Sequence, residues 1–327
     1  MLVAVYKSIV AMFMSLISLL SFGAAADKTA FTPKDSENVK LTFATMSDTH
    51  MTDSVARKFM LELGLSDMEN AQRPLDAMII TGDITNHGYE SEWIMTQNAF
   101  ASYSPAKEII FAEGNHDTWT DDYSYQPSLD LFVRFNKEIC GRDIDKAYYS
   151  TEINGYTFIV MASEDDGVDA YISEEQFAWL EETLEDSASD GLPVFLVFHQ
   201  PLNKTHGLPG TWGEDDATEI TGGIGDQSDR VEAILQQYKN IIYISGHIHN
   251  GMGDSITSAT YGYKSVETYG NITSVNLPAY SFFNSRGQFL SGLGFVFEVY
   301  NNEIIIRGRS YSSSIWHTEY EYSIPIV

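Results

Sequence analysis

The sequence predicts an α/β protein built on a substantially parallel sheet, and three observations carry that expectation. Short apolar runs of the length of buried strands recur at residues 39–46, 77–81, 193–198, 241–245 and in the first half of 109–117. Between the first three of these runs, apolar residues fall at helical spacing, so strand and helix alternate as in a βαβαβ unit. Each run also ends in a short polar turn, and in open α/β sheets ligands gather beyond the carboxyl ends of the strands.

The N-terminal residues stand outside this pattern. Lys7 precedes an apolar run at 9–20, and Gly23-Ala24-Ala25-Ala26 places small residues just before Asp27, the layout of a secretory signal peptide over residues 1–26. A spanning helix needs roughly twenty apolar residues, so this run is too short, and no later stretch gives the mature chain a membrane span. No Cys lies near the cleavage position to accept a lipid. The expected location is secreted or periplasmic. Residues 27–327 contain no internal repeat or low-complexity linker and read as a single domain with a β-rich part from about 260.

Composition narrows the field further. Cys140 is the only cysteine, so the chain makes no internal disulfide and depends on its core, which 43% hydrophobic residues can supply. The formal charge of −27 becomes more negative once Lys7 leaves with the leader. Such a surface repels polyanions and excludes broad nucleic-acid binding.

The elements then follow in order. The first strand, 39–46, ends in Ser47-Asp48-Thr49-His50, a helix over 55–71 is closed by Pro74, and the strand at 77–81 ends in Gly82-Asp83. A helix containing Trp93, Met95 and Phe100 leads to Ile-Ile-Phe-Ala-Glu-Gly-Asn-His-Asp at 109–117, which delivers Asn115, His116 and Asp117. An aromatic, acidic loop at 119–126, a helix at 129–139 and strands at 148–152 and 156–161 come next. Ser173 and Gln176 form a capping box for a helix over 176–185. The run at 193–198 delivers His199, and the Gly-containing loop at 203–227 has the length of a functional or disordered segment. After a helix at 228–238, the strand at 241–245 delivers Gly246-His247-Ile248-His249. From Thr260 onward the chain alternates, as antiparallel strands closing a second sheet would.

Five of the eight histidines lie in these strand-end turns; only His87, His206 and His317 lie elsewhere. Any one such turn could be a satisfied polar loop, but five in a βα-type chain point to a shared site. Carboxylate and imidazole together suit borderline cations such as Zn, Fe, Mn or Co rather than Ca. His247 and His249 sit two apart, so an extended segment would point both to one side. No Ser or Cys stands in a nucleophile motif.

The ordered set Asp-x-His, Gly-Asp, Gly-Asn-His-Asp, His, Gly-His-x-His, spanning Asp48 to His249, resembles the signature of the calcineurin-like metallophosphoesterase family. The resemblance implies a four-layer α/β/β/α sandwich of two mixed sheets and two divalent or mixed-valence transition metal ions, Mn, Fe or Zn. Carried over by position, it implies that Asp48, His50, Asp83 and His249 hold one ion, while Asp83, Asn115, His199 and His247 hold the other, with Asp83 bridging. The implied reaction is attack of a metal-bound hydroxide on a small phosphoester, with His116 as the general acid and Asp117 orienting its ring. Two cations roughly 3.5–4 Å apart suit that chemistry, since together they acidify a shared water and clamp phosphoryl oxygens. Purple acid phosphatases place a Tyr three residues after the bridging Asp and lack the His of the first motif; here those positions are Asn86 and His50, against a coloured iron–tyrosinate site. Ser-Asp-Thr-His and Gly-Asp-Ile-Thr-Asn look more like the class III cyclic-nucleotide phosphodiesterases and their secreted relatives. The expectation is therefore an exported phosphodiesterase, with a secreted phosphomonoesterase or a non-catalytic binding module on the same fold as alternatives.

Overall fold

A computed structural model describes residues 29–118, 125–165, 167–207, 222–252, 263–281 and 292–327. The leader, most of the loop at 119–126 and residues 208–221 of the loop at 203–227 lie outside the described residues. Strand β1 (Leu41–Met46) is followed by α1 (Val55–Glu69), β2 (Ala77–Thr81), α2 (Glu90–Phe100), β3 (Glu108–Ala112), the single turn α3 (Asn115–Thr118) and α4 (Tyr125–Cys140). The hairpin β4 (Tyr149–Ile153) and β5 (Tyr156–Val160) leads to α5 (Glu174–Ser187), β6 (Val194–Val197), α6 (Ser228–Leu235) and β7 (Ile241–Ser245). Five further strands complete the chain: β8 (Val266–Tyr269), β9 (Ile272–Asn276), β10 (Leu293–Val299), β11 (Glu303–Ser310) and β12 (Ile315–Pro325).

They form two six-stranded mixed sheets, ordered β12-β11-β10-β1-β2-β3 and β4-β5-β6-β7-β9-β8. Strand alternation explains why the sheets stack. In β1, Leu41 and Phe43 face the second sheet, where they join Phe158, Phe195 and Ile242, while Ala44 and Met46 face the opposite way toward Met60, Leu61 and Trp93 of the helices. Every residue of β1 is buried, as a strand covered on both faces must be. The second sheet repeats the logic: Leu196 and Tyr243 turn away from the inter-sheet core and pack against Phe177 and Leu180 of α5 and Val231 of α6. The result is the four-layer α/β/β/α sandwich. Phe43 anchors its centre, stacked on Phe297 at 4.6 Å and edge-on to Phe195 at 5.0 Å; burying one such ring contributes about 1.5–3 kcal/mol.

The C-terminal strands depart from expectation. Only β8 and β9 enter the second sheet, with β9 parallel to β7. β10, β11 and β12 instead extend the first sheet, β10 lying antiparallel to β1 with Leu41 opposite Val299. The cap of α5 also differs in part. Ser173 Oγ accepts from the Gln176 amide at 3.2 Å, but the Gln176 side chain turns inward to bond both backbone groups of Ala162. Below α1, Asp67 receives a two-pronged bond from Arg309, Nε at 2.7 Å and Nη2 at 2.9 Å, and both residues are buried. Among the described residues no helix is long and apolar enough to cross a membrane.

Candidate metal centre

The carboxyl ends of five strands converge on one place, three from the first sheet and two from the second. β1 delivers Asp48 and His50, β2 Asp83, β3 Asn115 and His116, β6 His199, and β7 His247 and His249. Their backbone is unusual: Asp48, His50, Asp83, His247 and His249 all have positive φ, between 42° and 73°. A left-handed non-glycine residue costs of order 1–3 kcal/mol and persists only where its surroundings hold it. Here the turns hold each other, with Asp48 N donating to Gly82 O at 3.1 Å, His50 N to Asp83 O at 2.9 Å and Met51 N to Ile84 O at 2.8 Å.

Two groups of ligand atoms result, each gathered within 4.8 Å, and they share Asp83. One contains Asp48, His50, Asp83 and His249; the other Asp83, His199 and His247. In the first, His249 Nε2 lies 3.0 Å from Asp48 Oδ1 and 2.9 Å from His50 Nε2, and His50 Nε2 lies 3.5 Å from Asp83 Oδ2. In the second, His199 Nε2 lies 3.3 Å from Asp83 Oδ2 and 3.2 Å from His247 Nδ1. His199 Nδ1 donates to the Thr81 carbonyl at 2.7 Å, so its Nε2 is the atom that presents a lone pair. Asn115 lines the same cavity, and its Oδ1 is buried with no hydrogen-bond partner.

Electrostatics favour a cation. Burial pushes His50 and His247 down to about 3, so both rings stay neutral and present lone pairs. Burial opposes charge on Asp48, yet the His249 ring beside it holds that carboxyl down at about 2. Burial likewise opposes charge on His199, but Asp83 and Asp48 push it up to about 9. Two buried carboxylates and neutral imidazole nitrogens thus gather where a cation would offset the carboxylate charge. An orphaned carbonyl oxygen, a buried bridging carboxylate and imidazole nitrogens 2.9 Å apart fit two borderline cations.

Several expectations change here. His247 and His249 do not lie on an extended segment; each reaches the site from a left-handed turn, at φ 73° and 48°, while the two fall in different ligand groups as expected. Asp117 does not orient the His116 ring. Its oxygens accept from Ile84 N, Thr85 N, Thr85 Oγ1 and Gly114 N, while His116 Nδ1 sits 2.7 Å from the Asn86 carbonyl. Asp117 therefore ties the turn after β2 to the turn after β3. The His116 amide in turn donates to Asp83 Oδ1 at 2.9 Å, and its ring packs edge-on to His50 at 4.6 Å.

The motif glycines carry a role that the motif letters alone did not explain. A Cβ on Gly246 would lie 1.8 Å from Ser47 Oγ and 2.7 Å from Asp48 Oδ2, and one on Gly114 would lie 2.2 Å from Asp83 N. Gly82, at φ 78°, leaves room for the His199 ring. Of the other histidines, His206 is a satisfied core residue, bonded to Lys264 O and Ser274 Oγ at 2.7 and 2.8 Å.

Asp83, Asn115, His247 and His249 open onto a cavity of about 1000 Å³ that is also lined by Asp165, Val168, Asp169, Tyr171 and Asp226. His116 lines it too. A space of this size admits a substrate considerably larger than inorganic phosphate.

The model of the calcineurin-like phosphoesterase family matches residues 41–251. Among solved structures, a dimetal phosphatase from Danio rerio superposes with a TM-score of 0.63 at 14% identity, covering 89% of this chain and 100% of that one. The purple acid phosphatase PPD1 of yellow lupin (Lupinus luteus) gives 0.61 at 12%, covering 87% of this chain and 53% of the lupin chain. GAP50, described as the anchor in the inner membrane complex of Plasmodium, gives 0.53 at 12%, covering 88% and 89%. These are likenesses of fold. No curated protein matches the sequence.

Proposed function

Because the chain belongs to the calcineurin-like phosphoesterase family, we propose that it is an exported hydrolase of phosphodiester bonds working with two transition metal ions. The observation that carries this reading is the pair of ligand groups that share Asp83 and open, through Asp83, His247 and His249, onto a large cavity. In it, Asp48, His50, Asp83 and His249 would hold one ion and Asp83, Asn115, His199 and His247 the other. Bound there, the cations supply Lewis-acid activation of water and neutralise the phosphoryl oxygens. Two carboxylates and neutral imidazoles leave two divalent ions with surplus positive charge, which a phosphoryl group can meet.

The remaining work falls to His116. A carbonyl oxygen only accepts, so the Asn86 carbonyl fixes the proton on Nδ1 and leaves Nε2 as the nitrogen that gains and gives a proton. His116 lines the cavity, in reach of a leaving oxygen there. Asp117 acts as a positioning residue, since it fixes the loop that carries both Asn86 and the Asp83 turn against the turn that carries His116.

The diester preference is supported by the Ser-Asp-Thr-His and Gly-Asp-Ile-Thr-Asn motifs and by the size of the cavity. Two of the three solved structures named above are called phosphatases, which favours a monoesterase as the second reading. Export is supported by the leader-like residues 1–26. The test is hydrolysis of matched aryl phosphodiesters and monoesters by purified protein reconstituted separately with Mn, Zn and Fe. Faster turnover of diesters is expected; at least tenfold faster turnover of monoesters would replace it with the second reading. No turnover with any metal would leave a binding module.

A further inference from the structure

A second, smaller cavity of about 230 Å³ opens beside the first motif, lined by Thr49, Ser54, Arg57, Leu61, Tyr280 and Ser281 among others. Its distinguishing group is Arg57. In this strongly acidic chain, Arg134, Arg142, Arg230, Arg307 and Arg309 each meet a carboxylate within 4.0 Å, and Arg73 donates to two backbone carbonyls. Arg57 meets none among the described residues. Arg57 is half-buried, and its one hydrogen bond among the described residues is long, 3.4 Å from Nη1 to the Thr49 carbonyl. A guanidinium carries five N–H donors, and among the described residues Arg57, which lines the cavity, spends only this one. Arg57 also stands in the first turn of α1, where the helix dipole disfavours a cation unless an anion offsets it, and that turn contains no acidic residue.

The rest of the lining sets the ligand's chemistry. The hydroxyls of Thr49 and Tyr280 are spent on the carbonyls of Ile84 and Met60 at 2.8 and 3.0 Å, and Met60 and Leu61 add apolar surface. Ser54 and Ser281 add hydroxyls, but Arg57 is the one cation of the described lining, and a guanidinium holds planar or tetrahedral oxyanions best. We propose that this cavity is an oxyanion site, separate from the metal centre, that takes one phosphate, sulfate or carboxylate group through Arg57. The oxyanion arrives either as a free ion or as a second anionic substituent of the substrate. Thr49 lies between the ligands Asp48 and His50, so the site borders the metal centre along the chain.

The test uses the full mature chain loaded with metal and inorganic sulfate as probe. Titration calorimetry should give saturable sulfate binding that weakens about ten- to hundredfold in Arg57→Gln, the loss expected for charge-assisted hydrogen bonds, and less in Arg57→Lys. His116→Ala should leave it unchanged. In selenate-soaked crystals the selenium signal should lie beside the Arg57 guanidinium. Equal sulfate affinity in wild type and Arg57→Gln, or selenium only at the metals, would overturn the proposal. So would loss of metal from Arg57→Gln, which would make the residue a support for the Thr49 turn. Kinetics then separate the sources. A KM rise of about tenfold in Arg57→Gln, confined to an aryl phosphodiester bearing a second phosphate, identifies a substrate substituent; an unchanged KM with weakened sulfate binding identifies a free ion. Sulfate binding is read without turnover, so it stands or falls apart from the hydrolytic reading.

Discussion

The imidazole of His116 is held by Asn86: Nδ1 lies 2.7 Å from that residue's carbonyl oxygen, a contact across thirty positions of sequence. Because the acceptor belongs to the backbone, no side-chain substitution at 86 removes it. The ring's orientation depends instead on what fixes the loop after β2: the Asp117 carboxylate at Ile84 and Thr85, and Met51 O with Glu92 Oε2 at the Asn86 amide.

His116→Ala should therefore keep both metals and lower turnover by about 10²–10⁴ on a diester with a poor leaving group. With a nitrophenolate, which departs without a proton, the loss should be much smaller. Turnover on the two substrates, with metal content measured alongside, decides it; equal losses would make His116 a binding group.

Asp83 is shared by both ligand groups, so Asp83→Asn should lower the occupancy of both ions, whereas His50→Ala should mainly affect one. Elemental analysis after dialysis reads this directly. Two ions retained by Asp83→Asn would remove the bridging assignment.

Gly246→Ala would force a methyl group to 1.8 Å from Ser47 Oγ, and something must move. The neighbour at 2.7 Å is Asp48, so the expected result is weaker binding of the ion held with His50 and His249, together with about 1–3 kcal/mol lost from overpacking. Metal titration and urea unfolding of the variant measure the two effects.

Far from the site, Asp67→Ala should be among the costlier single changes. It strands the Arg309 guanidinium, only 1% exposed, without its carboxylate, at about 3–5 kcal/mol. Chemical denaturation should show the loss, and activity per folded molecule should be unchanged.

The N-terminus offers a last check. If residues 1–26 are a leader, the exported protein should begin within a residue or two of Asp27, as intact-mass measurement of the secreted form would show. An uncleaved chain recovered with membranes would reverse that reading.

The site was legible because its residues stand at strand ends, where sequence order and chemistry coincide. Strands such as Ala77–Thr81 and Ile241–Ser245 could be bounded by their apolar character alone. What stayed hidden depends on contacts between distant segments. Alternation after Thr260 reports which faces are buried but not which sheet a strand joins, so the pairing of β10 with β1 could not be read from it. The left-handed turns at His247 and His249 belong to a segment tied to Asp48, 199 positions from His247, whose carboxylate accepts from the His247 amide at 3.2 Å, and an extended segment was the natural default for Gly-His-x-His. Asp117 follows His116 directly, which suggested a partnership that the backbone amides of Ile84, Thr85 and Gly114 had already taken. The Arg57 cavity has no motif at all, since Tyr280 must come back to α1 to form it.

The antiparallel seam between β1 and β10 also sets a timetable. Leu41 pairs with Val299, so β1 lacks one neighbour until synthesis has passed Val299. Contacts of such long separation close slowly, and the residues 41–251 that carry every metal ligand leave that edge open by themselves. The first sheet therefore cannot close until β10 has been made. Late closure lengthens the time spent in the unfolded state that a secretion channel accepts, which suits the export proposed for the protein.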